Sequence, residues 1–219
     1  MTLLIGTVSK SNVVLTADGL SRVNPNTGAG ISTDSFQKIF PVTDAPVAIL
    51  HHGLNILGGR NVGLFVDDFI KEFKGLASAS IEEIAAELRS FGEMSVQRAL
   101  ADPSNEGGVG FWVTGFGNRK ARPELYEIFW PDSPDPKPHE GLVLGGDGKK
   151  FVKRFLSNPL GPFRPEKIRE CLTTYARQYH QAIYRQAEAK QEKTGESIFG
   201  GKLHQLVVER KGWHWTAQQ

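Results

Sequence analysis

The chain has 219 residues, enough for one large domain or two small ones, and its 39% hydrophobic and 23% charged content is that of an ordinary globular protein. Lys plus Arg total 26 against 24 for Asp plus Glu, a net charge of +2, too even for a dedicated nucleic-acid binder. A single cysteine, Cys171, excludes an internal disulfide and any cysteine-based metal cluster, and it fits a reducing compartment.

Leu3 to Val8 reads as a first strand that starts almost at the chain's beginning. Gly6-Thr7 and Lys10 interrupt its apolar run too early for a secretory signal. No run approaches the roughly 18 apolar residues of a membrane span, so a cytoplasmic protein without a membrane partner is expected. Ser9 to Asn12 forms a polar turn, and Val13 to Ala17 returns as a second strand closed by Asp18-Gly19. Asn24 to Gly30 is a loop by composition. Phe36 to Val42 and Val47 to His51 read as two further strands, and His51-His52-Gly53 ends this sheet region.

The period then changes. Val62, Phe65, Phe69 and Phe73 recur at helical spacing, and Gly75 suits the end of that helix. Ser80 and Glu83 predict a capping box, followed by a stripe of Ile81, Ile84, Leu88 and Phe91. After Asp102-Pro103 and Gly107-Gly108, Val109 to Thr114 and Glu124 to Trp130 read as strands around a turn at Gly115 to Asn118. Pro131 to Pro138 holds four prolines in eight residues and is expected to be a surface loop. Leu142 to Leu144 is a short strand ending in Gly145-Gly146-Asp147-Gly148. A third helix starts near Lys149 and is punctuated by Pro159, Pro162 and Pro165. A fourth starts at Glu166, with Ile168, Leu172, Tyr175, Tyr179 and Ile183 on one face and a solvated extension over Arg185 to Lys193. Leu203 to Val208 and Trp213 to Trp215 form a last hairpin around Lys211-Gly212. The order is strands, two helices, strands, two helices, strands, with no dividing linker. It predicts one α+β domain over 1–219, with two sheets packed together and helices outside them.

Thr2 follows the initiator Met1. Removal of Met1 would leave a threonine with a hydroxyl nucleophile and a free α-amine, whose ordinary pKa of about 7.7–8.0 makes it a base near neutral pH. Asp18 closes the second strand and is expected beside the start of the first. Lys38 lies in an apolar stretch, Phe36 to Phe40, and if it points inward it needs a carboxylate partner. Asp18 would supply one and bring a cation near Thr2, favouring the neutral amine and an alkoxide. His51 and His52 are adjacent, so on a strand they face opposite ways and make a poor chelating pair. The glycine-rich stretches at 58–59, 107–108 and 145–148 lack a Walker pattern, so neither a metal nor a nucleotide or other cofactor is expected.

With Thr2-Leu-Leu-Ile-Gly6, Val13 to Asp18, Gln37 to Phe40, Gly115 to Trp130 and Gly145 to Gly148 in this order, the chain resembles the proteasome β-type peptidases and their bacterial HslV-type relatives, which are N-terminal nucleophile hydrolases. The resemblance implies a four-layer αββα sandwich of two antiparallel sheets flanked by helix pairs. It implies threonine-dependent hydrolysis of polypeptides in a homo-oligomer of stacked rings, with an ATPase unfoldase as the kind of partner that such rings take. Thr2 would be the nucleophile, Lys38 the group that tunes its amine, Asp18 the partner of Lys38, and the Gly53 N–H the oxyanion donor. Asp147 stands where the family has a serine that bonds the nucleophile's amine, and a carboxylate there would hold the ammonium form. Glu196, before Ser197 to Gly201, matches a supporting acidic residue. Two other readings follow from the same residues: a non-catalytic ring-forming scaffold if Met1 is retained, and an amidase acting on small amides.

Overall fold

The computed structural model describes residues 2–21, 33–103, 105, 107–156, 173–195 and 198–218. Two five-stranded antiparallel sheets carry the chain. β1 (Leu4–Val8) and β2 (Asn12–Asp18) form the expected hairpin, in register from Leu4 opposite Ala17 to Val8 opposite Val13. Ser9 closes its turn, with Oγ accepting from Asn12 N at 3.1 Å. Every residue of both strands is buried, the polar Thr7, Asn12, Thr16 and Asp18 included, so neither strand alternates between a buried and an exposed face. Around this hairpin the first sheet runs β10 (Gly141–Gly145), β1, β2, β11 (Leu203–Glu209), β12 (Gly212–Gln218). The second runs β3 (Ile39–Pro41), β4 (Val47–Gly53), β7 (Val109–Gly115), β8 (Glu124–Trp130), β9 (Ser133–His139). A small ribbon, β5 (Ile56–Leu57) with β6 (Arg60–Asn61), precedes the first helix.

Three apolar clusters set the layering. Leu4, Leu15 and Leu206 of the first sheet meet Leu50, Trp112 and Leu125 of the second. Beyond the second sheet, Ile49, Phe111 and Ile128 pack on α1 (Val62–Glu72) and α2 (Ile81–Ala101) through Phe65, Phe69, Ile84 and Leu88. Beyond the first sheet, Leu3 and Ile5 pack on α3 (Lys149–Leu156) and α4 (Thr173–Thr194) through Val152, Tyr179 and Ile183. The result is a mixed α+β arrangement consistent with a sandwich of two sheets. The expected capping box opens α2: Ser80 Oγ accepts from Glu83 N at 3.1 Å, and Glu83 Oε2 accepts from Ser80 N at 2.7 Å.

Four expectations change. The proline-rich segment is not a loop: Ser133–His139 is strand β9, at the sheet edge. Pro134, Pro136 and Pro138 recur with period two, so every missing N–H falls on the open side, while Lys137 and His139 pair with Glu127 and Leu125. The helix expected to end at Gly75 stops at Glu72, with Phe73 N bonding Phe69 O. Strand β3 is only Ile39–Pro41: Phe36 N bonds Gly19 O, outside the sheet, and Lys38 joins β4 through a single bond from His51 N. The polar stretch over Arg185 to Lys193 is not merely solvated: Gln191 is buried, and its Oε1 accepts from Ile198 N at 2.6 Å and Phe199 N at 3.0 Å. The expected loop at Asn24 to Gly30, Cys171, the helix start at Glu166 with Ile168 and Leu172, and the punctuating Pro159, Pro162 and Pro165 lie outside the described residues. No helix of the described residues is long and apolar enough to cross a membrane.

Candidate active site

The β1–β2 hairpin brings Asp18 to the start of the chain. Asp18 N bonds Leu3 O at 3.4 Å, and Asp18 Oδ1 accepts from Leu3 N at 2.9 Å. Thr2 is therefore one peptide away from the carboxylate, and it is buried. Asp18 Oδ2 accepts two more backbone donors, Leu20 N at 3.3 Å and Gly200 N at 3.2 Å. Backbone amides from three segments thus fix the carboxylate.

Lys38 comes from the run-up to β3. Its Nζ lies 2.9 Å from Asp18 Oδ1 and donates to Leu20 O at 2.7 Å. The side chains of the pair are 1% and 0% exposed, so this is a fully desolvated ion pair. Burial raises the Asp18 carboxyl above the ordinary carboxylate range against the pull of Lys38, and burial lowers the Lys38 ammonium against the pull of Asp18. Removing either partner would strand a buried charge. Two of the three Lys38 N–H donors have acceptors, Asp18 Oδ1 and Leu20 O.

Gly53 reaches the same neighbourhood through β4. His51 N bonds Lys38 O at 3.0 Å, and Gly53 follows two residues on, at the strand's end. Its φ of +98° is left-handed, and a side chain there would strike the Gly108 carbonyl, so only glycine fits. His51 and His52 leave the strand in opposite directions. His51 packs on Phe111 with Nε2 at 2.8 Å from Leu54 O, and burial holds its pKa well below the ordinary histidine value. His52 stacks on Phe129. No group of three or more metal-ligating side chains occurs among the described residues.

The glycine-rich turn closes the other side of Thr2. Gly148 N bonds Thr2 O at 2.9 Å, and a side chain at Gly146 (φ +75°) would strike the Thr2 carbonyl. Asp147 is exposed in this turn. Glu196 lies outside the described residues. Of the six expected site residues, the structure therefore groups Thr2, Asp18 and Lys38, brings Gly53 in through the Lys38–His51 pairing, and sets Asp147 in the turn against Thr2. A threonine one peptide from a buried ion pair is a candidate for nucleophilic chemistry once its amine is free.

Reading the sequence did not single out Gly200, which anchors Asp18 from 182 positions away. The Ser-Ile-Phe-Gly-Gly stretch was the available signal, but nothing local says that its amide turns to Asp18. It also missed a buried polar cluster behind the hairpin. His180 of α4 bonds Thr7 Oγ1 at 2.6 Å and Thr16 Oγ1 at 2.9 Å, and Gln205 Nε2 donates to Thr16 Oγ1 at 3.0 Å. Burial lowers the His180 pKa to about 3, so the ring is neutral.

Compared with known proteins, the chain matches no family model and no curated protein.

Proposed function

We propose that this protein is a threonine-dependent N-terminal nucleophile hydrolase of the proteasome β-type and HslV-like group, with the αββα fold of those enzymes, and that it cleaves polypeptides. The observation that carries the reading is the desolvated Asp18–Lys38 pair bonded to the amide directly after Thr2. An ion pair buried so completely is weak support for stability, since apolar residues could fill the same space at no loss. A cation held by the carboxylate that bonds the amide after Thr2 is a reason to keep it.

The chemistry follows in order. Removal of Met1 frees the Thr2 amine, which accepts the proton of Thr2 Oγ1 as that oxygen attacks the scissile carbonyl carbon. The Lys38 ammonium lowers the energy of the developing alkoxide and disfavours a second positive charge on the amine. The carbonyl oxygen becomes an oxyanion, for which the Gly53 N–H is the assigned donor; loss of such a donor typically costs about 10²–10³ in rate. Collapse breaks the C–N bond, the Thr2 ammonium returns its proton to the leaving amine, and an ester on Thr2 remains. Water, deprotonated by the same amine, then hydrolyses the ester and restores Thr2. Asp18 acts by holding Lys38 in place and charged. Stacked homo-oligomeric rings are the assembly that goes with this reading.

Hydrolysis of fluorogenic peptide amides by the wild-type protein and by Thr2→Ala tests the proposal. Turnover by the wild type and none by the variant is expected, with unchanged assembly by size-exclusion chromatography. Equal turnover by both would overturn it.

A further inference from the structure

A second polar feature lies on the other side of the Gly145–Gly148 turn. His52, Glu127, Phe129, Ser133, Lys137 and Lys149 line a cleft of about 150 Å³. The turn joins it to Thr2 directly. Gly148 N bonds the Thr2 carbonyl, Lys149 follows in sequence and reaches the cleft, and Gly145 seats Trp112, whose Nε1 donates to Glu127 at 3.0 Å.

His52 is the unusual member. It is 6% exposed, and its Nε2 has no hydrogen-bond partner. The nearest carboxylate oxygen, Glu127 Oε1, is 3.9 Å away. Phe129 stacks on one face of the ring, and a side chain at Gly110 would occupy the ring's place. The imidazole therefore lies over the Gly110 backbone, with Nε2 buried and unpartnered, a costly arrangement. Glu127 does not need a ligand: Oε1 accepts from Trp112 and Oε2 pairs with His139 Nε2 at 3.0 Å. Burial would raise its carboxyl, but His139, His52 and Trp112 outweigh that and hold it ionised, well below the ordinary range. The two lysines form no ion pair among the described residues, although Lys137 stands directly opposite Glu127 across the β8–β9 ladder. With Glu127 counted, the cleft remains net positive.

We infer that this cleft binds a carboxylate of the polypeptide substrate close to the bond at Thr2, with Lys137 and Lys149 supplying the charge and the buried His52 ring forming part of the wall. The inference rests on the peptidase reading for the identity of the ligand, but its test does not depend on hydrolysis. The carboxylate could be an acidic side chain or the chain's own C-terminus.

The probes are acetylated tetra-alanine peptides: amidated with one Glu at each position in turn, the matching Gln series, and the all-alanine peptide as the free acid and as the amide. Binding is measured by calorimetry to Thr2→Ala protein, with and without the Lys137→Glu/Lys149→Glu reversal. At one position Glu should bind about tenfold tighter than Gln, and the reversal should abolish the preference. The same preference confined to the free C-terminal peptide over its amide supports the cleft and assigns the terminal carboxylate. Equal affinity throughout, no binding of any acidic peptide, or a preference that survives the reversal overturns the inference. Failure of the wild type to hydrolyse peptides would overturn the proposed activity and leave this result readable.

Discussion

The β1–β2 hairpin carries two buried polar clusters that differ in kind. At its open end, Asp18 and Lys38 are both charged, both desolvated, and held by three backbone amides and a carbonyl. In its middle, His180 joins Thr7 and Thr16 as a neutral group, with the Gln205 amide completing the set. The neutral cluster is closed, since both ring nitrogens and both hydroxyls have partners, and it ties α4 to the sheet. The charged cluster is open by comparison, since Lys38 has two acceptors among the described residues for its three N–H groups and its partner Asp18 bonds the amide that follows Thr2. Burial of polar atoms by itself therefore does not mark a functional site; the proposed site differs from the neutral cluster in holding a desolvated ion pair within one peptide of Thr2.

The largest expected difference comes from the hydroxyl itself. Thr2→Ala should lower kcat/KM by about 10⁴-fold or more, with melting temperature and assembly unchanged. Lys38→Met comes next, because it leaves a buried unpaired carboxylate: stability should fall by about 3–5 kcal/mol in urea titrations, with activity lost as well. The double change Asp18→Asn with Lys38→Met removes both charges. It should recover most of the stability and none of the activity, which separates the chemical role of the pair from its role in folding. In the neutral cluster the pattern reverses. His180→Phe orphans buried hydroxyls and should cost about 1–3 kcal/mol of stability, while kcat per folded molecule stays at the wild-type value.

Acid should sharpen the same contrast. The unfolded chain protonates His180 near 6.5, and the folded one only near 3, so the unfolded state binds more protons in between. Stability should drop as pH falls through that window, by up to about 1.4 kcal/mol per pH unit from this residue, and His180→Phe should flatten the slope. On the alkaline side the lowered Lys38 pKa predicts that activity declines below pH 10.5, the ordinary lysine value, as the cation is lost. A pH–rate profile extended into this range reads it.

Much of the fold was legible because its signals are local. The helical period of Val62, Phe65 and Phe69, the Ser80–Glu83 box and the apolar runs of β1 and β2 need no distant partner to be read. The inward lysine was legible too, since an isolated cation among Phe36, Ile39 and Phe40 calls for a carboxylate. What escaped was set by tertiary context. Proline composition suggests a loop, and only edge placement lets Pro134, Pro136 and Pro138 sit in a ladder. Gln191 sits in a polar helical stretch, yet its side chain caps a turn seven residues on. His52 and Glu127 are 75 positions apart, and no local pattern joins them.

The central claim is that Thr2 becomes a free, reactive N-terminal residue. The most direct measurement is an intact mass spectrum of the purified protein after incubation with a peptide epoxyketone, an electrophile that engages a hydroxyl and its neighbouring amine together. The account predicts a single species lacking Met1 and carrying one adduct, with none on Thr2→Ala. A protein that retains Met1 and carries no adduct, one that has lost Met1 and remains unmodified, or one modified equally in the variant would contradict it.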